Sequence, residues 1–316
     1  MPDVPLVIIG LVALYFGGGW LVQGASRIAT AFGISAIIIG LTIVAIGTSA
    51  PELLVSLSSV LEGYDDVGVG AVVGSNISNL GLVLGLTVLI FPISVSKNTI
   101  RIDWPLMIMA SILFYFLALD GEISYLEGLL FVLILITFSV WIVLKSRKEG
   151  KQLYSSEDLE EYADDHPIYK DLIALAIGVV GLYFGAEWLI DGVIGIAKAH
   201  GISEKFISVT VVAFGTSVPE LVTSIVAAYR KETDISVGNL IGSNVFNILA
   251  ILGITALVKP IKVSDSIMSM DIFFMLGISL LIFPLMYYGK KMNRLKGSVL
   301  VLFYLIYIYF TIVAEF

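Results

Sequence analysis

Long apolar segments, separated by short polar stretches, occupy almost the whole chain. There are ten of them, between 16 and 29 residues long. A helix needs about 20 apolar residues to cross the hydrocarbon of a bilayer. We therefore predict an all-α membrane protein with ten transmembrane helices. In chain order, segments 1 to 10 cover residues 4–24, 33–61, 68–92, 104–119, 123–145, 169–191, 202–229, 234–258, 268–288 and 297–314.

The chain also repeats itself. Residues 15–95 align without a gap on residues 183–263, a shift of 168, and 37 of the 81 pairs are identical. AIGTSAPELLVS at 45–56 matches AFGTSVPELVTS at 213–224, and GSNISN at 74–79 matches GSNVFN at 242–247. We infer a duplication, with a first five-helix repeat at 1–145, a cytoplasmic linker at 146–168 and a second five-helix repeat at 169–316.

Each half has an odd number of crossings, so the two halves insert in opposite directions. Lys and Arg concentrate in cytoplasmic loops, and with the N-terminus outside, 14 of the 18 Lys and Arg residues face the cytoplasm. This predicts two inverted five-helix repeats, N-out and C-out, in the cell membrane. Inverted repeats are the plan of secondary transporters, which bind their ions near the midplane where the halves meet.

The composition excludes several classes of protein. Hydrophobic residues make up 58% of the chain and charged residues 14%, with a mean hydropathy of +0.99, against about 25% charged residues in a soluble domain. This excludes a soluble enzyme, a disordered chain and a secreted disulfide scaffold. The net charge of −8 argues against nucleic acid as a partner, because phosphate binding needs a basic face. The expected surroundings are the lipid bilayer, and no obligatory protein partner is evident.

Two acidic residues lie well inside apolar segments. Glu52 is in segment 2 and Glu220 in segment 7, at matching positions of the repeat. A charged side chain at the bilayer centre costs at least about 2.5–3.5 kcal/mol. A bound cation compensates this cost directly; the alternative is a neutral carboxylic acid held by hydrogen bonds.

Polar neighbours surround both glutamates. Two hydroxyl residues precede each glutamate at i−4 and i−3, which places their oxygens on the same helix face as the carboxylate. A proline directly before each glutamate cannot donate to the carbonyl four residues earlier. We expect the helix to bend there and to free backbone oxygens, with a plain proline kink as the alternative. These residues are Thr48, Ser49 and Pro51, and Thr216, Ser217 and Pro219.

Segments 3 and 8 supply a serine and an asparagine one helical turn apart, on one face. We interpret Asn76 and Asn244, which point elsewhere, as hydrogen-bonding contacts between helices rather than ligands. We interpret Ser56 and Ser224 as hydroxyls bonded back to the carbonyl at i−4. The candidate ligands of these two segments are Ser75 and Asn79, and Ser243 and Asn247.

The combined set offers only oxygen donors. Such donors suit hard cations, of which Ca²⁺, Mg²⁺ and Na⁺ are the candidates. Zn²⁺ and copper ions prefer His or Cys, and neither is present among the candidate ligands. Two glutamates match the charge of one Ca²⁺, whereas Mg²⁺ retains its waters and is less favoured. No cofactor is expected.

The motif pairs GTSAPE and GTSVPE, and GSNISN and GSNVFN, resemble the alpha repeats of the cation/Ca²⁺ exchanger superfamily, in its sodium/calcium exchanger branch and especially its small prokaryotic members. The resemblance implies an electrogenic antiporter that exports Ca²⁺ against about three Na⁺ by alternating access. It implies four cation sites between helices 2, 3, 7 and 8, and sliding of helices 1 and 6 against the other eight. The ligands implied by position are Thr48, Ser49, Glu52, Ser75, Asn79, Thr216, Ser217, Glu220, Ser243 and Asn247, together with the backbone carbonyls of Ala45 and Ala213.

One position bears on the coupling ion. Some prokaryotic members of the superfamily and the potassium-dependent exchangers have Asp where this chain has Asn247, so potassium dependence is disfavoured. H⁺- or K⁺-coupled Ca²⁺ exchange stays open as an alternative, and a Ca²⁺ channel is the alternative from another class. An enzyme is not expected, because the apolar segments lack a Ser/His, Cys/His or paired-Asp arrangement.

Overall fold

The computed structural model describes residues 3–153, 167–200 and 215–315, and its helices overlap the predicted segments. The helices of the first half are α1 (Asp3–Ala31), α2 (Ala36–Thr48), α3 (Ala50–Glu62), α4 (Asp65–Ile90), α5 (Thr99–Asp120) and α6 (Tyr125–Leu153). Those of the second half are α7 (Ile168–Ala199), α8 (Val218–Tyr229), α9 (Thr233–Val258), α10 (Ile267–Lys290) and α11 (Arg294–Glu315).

Eight of the described helices are long and apolar enough to cross a membrane, and the bent pair α2–α3 provides a ninth candidate. Helix α8 is shorter, and the predicted segment 7 begins at residue 202, outside the described residues. The all-helical membrane architecture is confirmed. The count of ten crossings and the N-out orientation stay predictions.

The predicted boundary between the first repeat and the linker falls inside a helix. Helix α6 continues past residue 145 to Leu153, and α7 begins at Ile168. Most of the proposed linker, 154–166, lies outside the described residues. The division into two repeats and a linker therefore stays a prediction.

Helices α4 and α9 form the centre of the molecule. The apolar stretch of α4 is 72% buried and that of α9 is 78% buried, whereas no other long described helix exceeds 44%. Both helices contain π-helical turns, Asn79–Val83 in α4 and Asn247–Leu252 in α9. The two turns begin 168 residues apart, so the sequence repeat reappears as a repeat of an unusual backbone feature that is frequent at functional sites.

Two short antiparallel strand pairs join the halves, which the all-helix expectation did not include. Strand β1 (Ile93–Ser94) pairs with β4 (Lys291–Met292), and β2 (Glu122–Ile123) pairs with β3 (Ile261–Lys262). Each pair takes one strand from each half. Backbone hydrogen bonds of the strand pairs therefore link the two halves at two places.

Helices α1 and α7 pack closely along their length, and at several glycines there is no room for a larger side chain. A Cβ atom added at Gly17 would lie 2.8 Å from the backbone nitrogen of Leu182, and one at Gly178 would lie 2.5 Å from that of Leu21. Small residues allow such backbone contact between membrane helices. A spacing of seven residues, two helical turns, keeps the glycines on one face. The glycines in this contact are Gly10, Gly17 and Gly24, and Gly178, Gly185 and Gly192.

Candidate cation site

The second segment breaks where the proline predicts it. Helix α2 ends at Thr48, α3 begins at Ala50, and their axes differ by 47°. Ser49 between them has φ −91° and ψ 9°, and Pro51 lies in the first turn of α3. Proline is tolerated there because the first N–H groups of a helix have no partner within it. The predicted bend is confirmed, and the Gly47 carbonyl has no N–H donor at position 51.

The second half reproduces this geometry. Ser217 has φ −88° and ψ 2°, and Pro219 lies in the first turn of α8. Thr216 directly before it is half-buried. Ala213 lies outside the described residues, so its role as a ligand stays a prediction. The described backbone at the start of α8 therefore matches that at the start of α3.

The two glutamates are completely buried, each with 0% exposure. Ser49 Oγ donates to Glu220 Oε1 at 3.1 Å, a contact between the two halves. Glu220 Oε2 and both carboxylate oxygens of Glu52 have no hydrogen-bond partner in the described part of the chain. Both residues lie in the first turn of a helix, where the helix dipole favours negative charge. Three buried carboxylate oxygens are therefore available to a cation.

Thr48 faces the second half as well. Its Oγ1 donates to Asn239 Oδ1 at 3.1 Å and lies 3.5 Å from Ser243 Oγ. The backbone carbonyl of Ala45 accepts from Ser49 N–H at 2.9 Å, and Thr48 Oγ1 is 3.4 Å away. The structure thus brings the hydroxyl-bearing break of segment 2 against α9.

Asn239 is absent from the predicted ligand set. It is fully buried, and its Nδ2 has no hydrogen-bond partner in the described part of the chain. The predicted ligands stand out in the sequence because they occur in both halves, whereas the position that matches Asn239 in the first half is Ala71. The available signal was the spacing, since Asn239 precedes Ser243 by one helical turn.

Asn76 and Asn244 join α4 to α9, as predicted. Asn76 Nδ2 donates to the Asn244 carbonyl at 3.3 Å, and Asn244 Nδ2 donates to the Asn76 carbonyl at 3.2 Å. This reciprocal pair confirms the interpretation of Asn76 and Asn244 as contacts between helices. Both amide atoms of Asn79 are unpartnered within the described chain, while Asn247 donates to Asn76 Oδ1 at 3.1 Å and leaves its own oxygen free. Asn79 and Asn247 can therefore offer oxygen to an ion.

The hydroxyl groups of Ser56 and Ser224 do not make the hydrogen bonds that the sequence predicts. Their hydroxyl oxygens are buried and make no hydrogen bond with any described residue, so the predicted bond back to the i−4 carbonyl is wrong. The hydroxyl of Ser217 is unpartnered in the same sense, and Ser75 is buried. Unpaired buried hydroxyls cost free energy. Bound ions or waters would satisfy them.

A cavity of about 220 Å³ lies beside this cluster, between α7, α3 and the start of α8. Pro51, Pro219 and Thr216 form one wall, so the cavity reaches the residues that adjoin the buried glutamates. Glu187 and Asp191 of α7 form part of the opposite wall. Carboxylates inside a membrane protein face water-filled cavities rather than lipid. Glu187 and Asp191 therefore face a cavity that borders the site.

The donor set consists of carboxylate, hydroxyl, amide and backbone oxygens. Among the described residues no group of three or more His, Cys, Asp or Glu side chains could hold a metal ion. A transition-metal centre would draw on such groups, whereas Na⁺ and Ca²⁺ accept mixed neutral and carboxylate oxygens. The cluster carries two units of negative charge when both glutamates are ionised, and it is suited to hard cations.

Known proteins are similar to this chain in sequence and in architecture. Residues 3–144 and 170–313 match the family model described as sodium/calcium exchanger protein. The putative antiporter CaxA of Alkalimonas amylolytica is 36% identical over 315 residues, 96% of each chain. The sodium/calcium exchanger MaX1 of Methanosarcina acetivorans is 32% identical over 341 residues, again 96% of each chain. The solved structure of the sodium-calcium exchanger NCX_Mj, soaked with Na⁺ and Ca²⁺, matches with a TM-score of 0.83 and 33% identity over 98% of both chains. This chain is therefore a multi-pass membrane protein of the sodium/calcium exchanger family.

Proposed function

We propose that this antiporter exports Ca²⁺ against about three Na⁺ by alternating access, with its ions bound near the midplane between segments 2, 3, 7 and 8. One observation carries the proposal: two fully buried glutamates, one from each half, have three carboxylate oxygens without a hydrogen-bond partner among the described residues. Thr48, Ser49, Ser217, Ser75, Ser243, Asn79 and Asn247 surround them as neutral ligands in this proposal, with Thr216 at the cavity wall and the Ala45 and Ala213 carbonyls.

The charge of the site supports this stoichiometry. Glu52 and Glu220 bring −2, so one Ca²⁺ leaves the site neutral and three Na⁺ leave it at +1. Each full cycle then moves one net positive charge across the membrane, which makes the exchange electrogenic. Because position 247 is an amide, the site has no third carboxylate to balance an added K⁺ or H⁺.

The strand pairs support ten crossings with inverted halves. In that topology the loop that follows segment 3 and the loop between segments 9 and 10 are both cytoplasmic. These are the loops that carry β1 and β4, which pair. The loops that carry β2 and β3 are both extracellular, and these strands also pair. A segment 7 that did not cross the membrane would put paired strands on opposite sides.

The two sides of the site differ in access. Helix α1 packs tightly on α8, because a Cβ added at Gly18 would lie 3.1 Å from Val222 Cγ1. On the side of α7 the cavity separates that helix from α3. In the proposed topology this cavity opens outward and α1 closes the inward route. Movement of the glycine-packed pair α1–α7 as one unit would exchange these two arrangements.

The decisive experiment uses purified protein in liposomes loaded with Na⁺. On dilution into Na⁺-free buffer, we expect ⁴⁵Ca²⁺ uptake that depends on the Na⁺ gradient and that increases when the interior is made positive, because each cycle moves one net positive charge outward. Uptake driven equally by a K⁺ or H⁺ gradient would replace Na⁺ coupling by one of these alternatives. Flux without any counter-ion gradient would indicate a channel and contradict the proposal.

The acidic wall of the cavity yields a second prediction. Carboxylates that line a cleft raise the local cation concentration and speed association by about 10-fold or more at low ionic strength. The double variant Glu187→Gln, Asp191→Asn should therefore lower the rate of Ca²⁺ uptake at limiting external Ca²⁺ and leave the maximal rate nearly unchanged. The difference should shrink as ionic strength increases.

A matched control removes two carboxylates elsewhere. The pair Glu122→Gln, Asp265→Asn makes the same two changes at exposed residues away from the cavity. It should exchange like the wild type. Equal loss in the control and the double variant would mean that general surface charge, not the cavity wall, governs entry.

A further inference from the structure

Asn239 makes a contact that the repeat does not duplicate. Its Oδ1 accepts the hydrogen bond from Thr48 Oγ1 at 3.1 Å, and both side chains are completely buried. In the first half the matching position is Ala71, which has no acceptor. The two halves therefore differ in the side chain that can hold the threonine.

The direction of this bond matters for a ligand. A threonine hydroxyl has one proton and two lone pairs. When the proton points at Asn239, both lone pairs of Thr48 Oγ1 remain free to face a cation. Without Asn239, the other acceptors around this hydroxyl are the Ala45 carbonyl at 3.4 Å, Ser243 Oγ at 3.5 Å and the Glu220 carboxylate. All three are oxygens that the proposed site needs for its ion.

We infer that Asn239 is a positioning residue for the cation site: it takes the Thr48 hydroxyl proton and thereby presents the Thr48 oxygen, and spares the Glu220 carboxylate, for ion binding. This inference rests on the proposed function. Because position 71 is alanine, the first half offers Thr216 no side chain that matches Asn239, so the site is chemically asymmetric.

The test compares ion affinity with maximal exchange. Asn239→Ala should increase the Na⁺ and Ca²⁺ concentrations needed for half-maximal exchange by about 3- to 10-fold, the value of one hydrogen bond, and change the maximal rate little. Asn239→Leu, which fills the same space without an acceptor, should behave alike and guards against loss of folding through a cavity. Ca²⁺-dependent stabilisation against heat in detergent reports binding independently of transport.

A double-mutant cycle separates positioning from a structural role. If Asn239 acts through Thr48, Asn239→Ala should add less than about 2-fold to the effect of Thr48→Val. Ser236→Ala is the control on the same helix, because Ser236 is also fully buried and its hydroxyl has no partner in the described part of the chain; it should bind ions like the wild type.

The possible failures are distinguishable. A wild-type protein without Na⁺-driven Ca²⁺ uptake would overturn the proposed function. A wild-type protein that exchanges normally, together with Asn239 variants that keep wild-type affinity, would overturn only the role of Asn239. Full additivity with Thr48→Val would do the same, since it would mean that Asn239 acts independently of the threonine.

Discussion

Glu52→Gln should abolish Na⁺-driven Ca²⁺ uptake, with a loss of at least about 100-fold, because removal of one partner from a buried charge interaction costs about 3–5 kcal/mol. Glu220→Gln should have a comparable effect, since the two residues lie equally buried at matching positions. Vesicle uptake of ⁴⁵Ca²⁺ measures the loss directly. Both variants should also lose the stabilisation that Ca²⁺ gives against thermal unfolding.

The same substitution should leave the ion-free protein intact. Both Glu52 oxygens lack a hydrogen-bond partner among the described residues, and a buried carboxylate without its ion is costly. The unfolding temperature of ion-free Glu52→Gln should therefore equal or exceed that of the wild type. Glu62→Gln, at the exposed end of the same helix, is the matched control and should transport normally. Wild-type uptake by Glu52→Gln would refute the two-glutamate site.

Gly178→Ala should lower both the stability and the exchange activity of the protein, because it disturbs the contact between α1 and α7. The added Cβ would lie 2.5 Å from the backbone nitrogen of Leu21 and 2.8 Å from its Cα, and backbone cannot swing aside as a side chain can. Overpacking of a well-packed contact costs about 1–3 kcal/mol. We expect a lower unfolding temperature, and exchange lowered by more than the amount of folded protein explains, because the pair must separate or shift.

Gly70→Ala supplies the comparison. Gly70 lies in α4, and nothing comes within 4 Å of a Cβ added there. Alanine is also the better helix former, so this variant should be neutral or slightly more stable. If Gly178→Ala and Gly70→Ala melt and transport alike, close packing of α1 on α7 is not required for function.

Much of the fold and of the candidate site can be predicted from residues that occur in both halves of the sequence. The apolar segments located the helices, because the bilayer requires long apolar stretches whatever the tertiary arrangement. The repeated proline predicted the break between α2 and α3, because the missing N–H is a local chemical property. Glu52 and Glu220 stood out since a membrane tolerates few acids. Each of these signals acts within one segment.

Contacts between segments needed the folded chain. The bond from Ser49 to Glu220, the reciprocal strand pairs and the cavity beside Thr216 depend on how helices distant in sequence are set against each other. Asn239 escaped detection because its counterpart is Ala71, so duplication gave no signal. The sequence by itself determined the membrane helices, the breaks and the paired acids. Only the tertiary structure decided which hydroxyl faces which acceptor, because hydrogen bonds between helices depend on rotation and register that no local pattern records.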